Sequence, residues 1–176
     1  MYAAGTLLAI FLIFSASLPF LSVDEITIYS QETRTNADAL SLMLSHQAGL
    51  KTAQDNPTYA GNITNSLNPI ISASFDNYYQ NIANNNNNIT TYSNGAGTVI
   101  TYINNVDNNS SDIYLEMKEK LENQRNIGLF DSSNNTIKAS GVEEVNRINI
   151  SIAPFSIPPA IYNNIPNNSP IYISRY

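Results

Sequence analysis

The chain has 176 residues, enough for one domain with a core of its own and too few for two once an apolar N-terminal stretch is set aside. Only 12% of residues are charged, the net charge is −6, and 27 asparagines supply most of the polarity. The eight Lys and Arg are scattered from Arg34 to Arg175, so no basic face exists to neutralise a row of phosphates, and nucleic acid is not an expected partner. Cysteine is absent, which excludes a disulfide framework, thiolate zinc and cysteine catalysis.

Ala3 to Val23 reads AAGTLLAIFLIFSASLPFLSV without a charged side chain. At helical rise these 21 residues extend about 31 Å, close to the roughly 30 Å hydrocarbon thickness of a bilayer. The expectation is a transmembrane anchor over residues 1–25. A cleaved signal peptide, with Ser15-Ala16-Ser17 as the small-residue site, and a buried helix are the competing readings. Flanking Lys and Arg do not set the orientation. The polar bulk follows the span, so the body is expected outside the cytoplasm, periplasmic in a bacterial inner-membrane setting. Type IV prepilins and pseudopilins also begin with an apolar helix, after a short basic leader ending in Gly and with Glu at the fifth mature position. Here Gly5 is followed at that position by Ile10, without a basic leader, and the chain departs from the pattern.

A helical stalk is expected over residues 26–56, ended by Pro57, with Ala37, Leu40, Met43, Leu44, Gln47 and Leu50 as its packing stripe. A coiled coil with a partner is the alternative use of that stripe, and it wants a longer heptad run. The α+β domain is expected over residues 57–176. Its first helix spans Asn68 to Ala83, with Pro69 in the first turn and Ile71, Phe75, Tyr78 and Ile82 on one face. Five asparagines, Asn84 to Asn88, form a loop. Ile89 to Ser93 and Thr98 to Ile103 flank Asn94-Gly95 as a hairpin. Ser111 or Asp112 caps a helix through Gln124, with Glu116 and Lys120 paired and Met117 and Leu121 inward. A second hairpin joins Ile127–Phe130 to Thr136–Ala139, and a strand follows from Val145 to Ile152. The proline-bounded remainder is expected as loops closed by a short edge strand at Ile171-Tyr172-Ile173.

Candidate chemistry is sparse. His46 is the single histidine, so any Ser-His-Asp arrangement depends on it; it lies one residue from the stripe and is expected on the surface or partly packed. Gly95-Ala96-Gly97 precedes a strand, which makes it a turn and not a phosphate cradle. Asp107-Asn-Asn-Ser-Ser-Asp112 and Asp131-Ser-Ser-Asn-Asn135 space oxygens as calcium loops do, without the loop glycine or distal Glu of an EF-hand. A helix-capping loop and a hairpin turn account for them. Asn-x-Ser/Thr triplets arise by chance in so asparagine-rich a chain, and the eleven tyrosines are expected in packing and not in a carbohydrate site. No catalytic, cofactor-binding or metal-ligating residue is assigned, no cofactor is expected, and the chain is not read as an enzyme.

From Ala37 onward the order of features resembles the small PilM proteins encoded with thin conjugative type IV pili of IncI-type plasmids, which are distinct from the actin-like proteins of the same name. The residues that carry the resemblance are Asn56-Pro57-Thr58-Tyr59-Ala60-Gly61, Ile89-Thr90-Thr91-Tyr92, Asn126-Ile127-Gly128, Ser140-Gly141 and Ile165-Pro166 through Pro170-Ile171. The asparagine run and Ile157-Pro158-Pro159 look like local elaborations. The resemblance implies a non-enzymatic component of pilus biogenesis at the inner membrane. Its expected partners are the bilayer and other pilus-assembly proteins or filament subunits. A pilin-like minor subunit and a secreted enzyme or carbohydrate binder are the alternatives.

Overall fold

Helix α1 runs Val23–Asp55, about 50 Å at helical rise, in a computed structural model that describes residues 23–64, 88–105, 109–121, 126–138 and 148–176, with side chains from residue 31. The chain divides into two compact units, Met1–Arg34 and Thr35–Tyr176. Among the described residues no helix is long and apolar enough to cross a membrane. The expected anchor, apart from its last residues, and the expected helix from Asn68 to Ala83 lie outside the described residues.

The second unit is built on one antiparallel sheet of seven strands in the order β1-β2-β3-β7-β4-β5-β6. These strands are β1 (Ala60–Asn62), β2 (Ile89–Asn94), β3 (Thr98–Ile103), β4 (Ile127–Asp131), β5 (Thr136–Lys138), β6 (Ile148–Asn149) and β7 (Pro170–Arg175). The β2–β3 hairpin has the expected strands, in register from Ile89 opposite Ile103 to Ser93 opposite Val99. Its turn is longer than a two-residue loop. Gly95 and Gly97 take φ of 65° and 90°, conformations that glycine enters without steric cost, and Asn94 Oδ1 accepts the N–H groups of Ala96 and Thr98 at 2.8 and 2.9 Å. The β4–β5 hairpin also forms where expected. β1 was not expected, because three residues of Ala, Gly and Asn carry no strand signal; it pairs along β2.

The closing strand corrects the sequence reading most. β7 is not an edge strand: it pairs with β3 on one side and β4 on the other, joining the β1–β3 and β4–β6 meanders. Pro170 is tolerated because it is the first residue of the strand and pairs there with Leu129. Ile171 and Ile173 then point to one face and Tyr172 to the other, all buried, which gives a central strand the continuous apolar run it needs. Between β6 and β7 the segment expected as loops contains one helical turn, α3 (Pro159–Tyr162), with proline at its start where the missing N–H costs nothing. The expected Val145–Ile152 strand is realised only at Ile148–Asn149, since Ile150 onward turns away and residues 145–147 lie outside the described set.

Each face of the sheet has its own core. On one, Tyr92, Ile100, Tyr102, Phe130, Ile171 and Ile173 pack against Ile150, Ile157 and Ile165 of the segment that precedes β7. Full burial of an isoleucine side chain is worth roughly 1.5–3 kcal/mol, so this layer is a principal source of stability. On the other face, Ile89, Ile103, Ile127 and Tyr172 meet Ala39 and Leu42 of α1 and Ile113, Tyr114 and Met117 of α2 (Ser110–Lys120). α2 begins one or two residues before the expected caps, with Asn109 at the N-cap, and ends at Lys120. Its expected Glu116–Lys120 pair forms at 3.0 Å, and Met117 and Leu121 face inward as expected.

The face that α1 turns to the sheet also differs from the expected stripe. Thr35, Ala39, Leu42, His46, Gly49 and Ala53 are buried, while Gln47 is exposed and Ala37, Leu40, Met43, Leu44 and Leu50 are only half-buried. Both rows have helical spacing, and the one with the smaller side chains wins because it lets the helix axis approach the strands. At Gly49 an added Cβ would stand 2.5 Å from Thr91 Cγ2 and 3.3 Å from Val99 Cγ1.

Candidate functional site

The described residues hold one connected polar cluster deep in the molecule, and it centres on His46. The strand register explains why: Thr91 lies opposite Thr101, Thr101 opposite Tyr172, and Tyr172 opposite Ile127, a ladder across four strands on the face that receives α1. Imidazole Nδ1 lies 3.1 Å from Thr101 Oγ1, which is 3.1 Å from Thr91 Oγ1. On the other side Nε2 lies 2.9 Å from Ser174 Oγ, and that oxygen accepts the Asn126 Nδ2–H at 3.1 Å. The Tyr172 ring stacks on the imidazole with centroids 3.8 Å apart and planes 16° from parallel.

His46 is therefore not at the surface or partly packed, as its place beside the apolar stripe suggested, but wholly enclosed. Burial away from water pushes its pKa down from 6.5 to about 3, because a charged ring would lose its solvation. At neutral pH it is a neutral ring with one donor and one acceptor nitrogen, and either hydroxyl can serve either. Ser174 is half-buried and within hydrogen-bond distance of the ring, which raises the serine–histidine reading directly. The chemistry is unfavourable to it. A general base must hold a proton in the transition state, and here Nδ1 faces a threonine hydroxyl where a serine hydrolase has a carboxylate. The arrangement suits positioning α1 on the sheet.

The second singled-out segment, Asp131-Ser-Ser-Asn-Asn135, is the β4–β5 turn. Asp131 is buried and its carboxylate is fully engaged: Lys138 Nζ lies 2.5 Å from Oδ2, Asn134 Nδ2 donates to Oδ2 at 2.9 Å, and the Ser133 N–H and Oγ–H donate to Oδ1. The Lys138 ammonium, followed by these donors, holds the carboxyl well below the usual carboxylate range. An ammonium occupies the position that a calcium ion would want, so the hairpin-turn reading accounts for the segment. Asp107 lies outside the described residues, and Asp112 is exposed in the first turn of α2. Among the described residues no three His, Asp or Glu side chains come together to hold a metal ion.

Of the tyrosines, Tyr92, Tyr102, Tyr114 and Tyr172 are buried in the two cores, and Tyr59 is half exposed at 51% beside β1. Gly95-Ala96-Gly97 is the β2–β3 turn, as expected. The serine–threonine–histidine cluster was legible in the sequence only as an unusual density of hydroxyl residues in β2, β3 and β7. Fold and cluster together define an α+β protein in which a helix packs on a seven-stranded antiparallel sheet through a polar key. No family model, curated protein or solved structure matches the chain.

Proposed function

We propose that the chain is a non-enzymatic, membrane-anchored component of type IV pilus biogenesis, tethered by its N-terminal segment and acting through contacts of the α+β unit with other pilus-assembly proteins. The single observation that carries this reading is the charge-free stretch Ala3–Val23 leading directly into α1. The order of short motifs shared with PilM-type proteins supports it. Three of these motifs fall at the joints of the fold: Asn56–Gly61 carries the chain from α1 into β1, Asn126–Gly128 enters β4, and Ile165–Ile171 leads into β7; Ile89–Tyr92 lies within β2, and Ser140-Gly141 lies outside the described residues. In a Gram-negative host the body is periplasmic on this reading. The test is deletion of the gene followed by piliation and mating assays, together with membrane fractionation. Loss of pili with the intact protein in the inner-membrane fraction is expected; normal piliation would contradict the reading.

A second reading, a pilin-like minor subunit, is favoured by one specific feature: an apolar N-terminal sequence precedes α1, a long helix whose later part packs on an antiparallel sheet. Recovery of an N-terminally processed chain in sheared filaments would favour this reading over a permanent tether. Mass spectrometry of the N-terminus from the native host separates the two.

A further inference from the structure

We propose that His46, with Thr101 and Ser174, forms an acid-sensitive latch that holds the Thr35–Asp55 part of α1 on the sheet and releases it when the ring takes up a proton.

The geometry carries this independently of the function proposed above. The helix face on the sheet offers little apolar area: among the buried residues of Thr35–Asp55 only Leu42 is a large aliphatic side chain, and half-buried Met43 packs beside it. The imidazole sits in the middle of that face, bonded through both nitrogens to strands β3 and β7 and stacked on Tyr172. A protonated ring would need both hydroxyls as acceptors and, among the described residues, would have no carboxylate hydrogen-bonded to it. β2 and β3 contribute hydroxyl and apolar side chains and the amide of Asn94, with no carboxylate or basic group. On β7 the group in contact is Tyr172, whose phenol is raised by burial and stays neutral in acid, while Arg175 is exposed. On α2 the buried titratable side chain is Tyr114; Glu116 and Lys120 pair with each other, and Asp112 and Glu119 are exposed. On β4 Asp131 is taken by Lys138. On α1 itself Lys51 and Asp55 pair at the exposed end, and half-buried Asp38 stands about two turns, roughly 12 Å along the axis, before His46. An uncompensated buried charge is costly, and undocking α1 returns the ring to water.

The opposite face of the sheet does not depend on α1. Ile100, Ile171, Ile173 and Phe130 are sealed there by Ile150, Ile157 and Ile165. Acid is therefore expected to open one layer before the other, a sub-global opening of the kind hydrogen exchange resolves.

The test follows amide exchange and the histidine ring signal in the full chain between pH 6.5 and 4. Because the chain has one histidine, the ring resonance is unambiguous. After correction for intrinsic rates, the opening equilibrium of residues 40–53 is expected to rise about tenfold per pH unit, the signature of one proton taken up on opening. Amides of β3 and β7 should stay protected over the same range. His46→Gln, which keeps a donor and an acceptor but does not titrate, is expected to abolish that pH dependence. The latch is overturned if helix and strand amides open together, if protection of residues 40–53 is flat with pH, or if the variant keeps the wild-type slope. Should the variant not fold, the wild-type ring decides: imidazolium appearing only with loss of α1 protection supports the latch, and imidazolium inside a protected helix refutes it.

Discussion

Gly49 shows how a single hydrogen atom sets the spacing between two layers. A methyl group there would press into Thr91 Cγ2 at 2.5 Å, and Thr91 is fixed by its hydroxyl contact with Thr101. Gly49→Ala is expected to lower stability by about 1–3 kcal/mol, despite the better helix propensity of alanine, as overpacking does. Urea denaturation measures it, and adding Thr91→Ser, which removes the offending methyl, should recover part of the loss in a double-mutant cycle. Two titrating residues divide the acid response. His46 has a folded pKa near 3 against 6.5 unfolded, so the unfolded chain binds the extra proton between those values. Stability is then fully present above pH 6.5 and falls by about 1.4 kcal/mol per pH unit below it. Asp131 has a depressed folded pKa, so its contribution is full above the ordinary carboxylate value of 3.8 and declines only below it. A urea midpoint that is flat from pH 8 to 7 and falls steadily from 6 to 4 is the expected profile, and Asp131→Asn should leave that slope unchanged.

Among the elements, the central position of β7 makes Pro170–Arg175 indispensable. Ending the chain at Ser169 would remove the strand that joins the two meanders, along with Ile171 and Ile173 from the core, and is expected to abolish the cooperative unfolding transition in circular dichroism. Ile173→Ala alone should cost about 2–5 kcal/mol. The hairpins were legible because their signals are local: Asn94-Gly95 and Asp131-Ser-Ser-Asn-Asn135 are turn chemistry between strand-forming runs. The place of β7 was not legible, because a strand's neighbours are set by pairing across some seventy residues and the flanking prolines imitate an edge. The buried face of α1 was missed for a different reason. Hydrophobicity picks the leucine row, whereas close packing on a sheet rich in threonine and serine selects Ala39, His46, Gly49 and Ala53. His46 went with it, since its enclosure depends on partners in β3 and β7 that no window around residue 46 contains.

For the whole molecule, the function proposed above predicts a tether and a body that folds without it. Deleting residues 3–22 should move the protein from the membrane pellet to the supernatant while leaving the circular dichroism and thermal transition of the α+β unit in place; loss of the transition would show that the segment belongs to the fold. The strand order has one more effect, on how the molecule comes into being. β7 follows β1 to β6 in the sequence, so β3 and β4 must each wait with an open hydrogen-bonding edge until Pro170–Arg175 has been made. All of β1 to β6 is made before the two halves can be joined, and such long-range closure is slow and leaves strand edges exposed meanwhile. A product stalled or clipped before Pro170 would thus be a pair of sticky half-sheets, and closure of the sheet waits for β7.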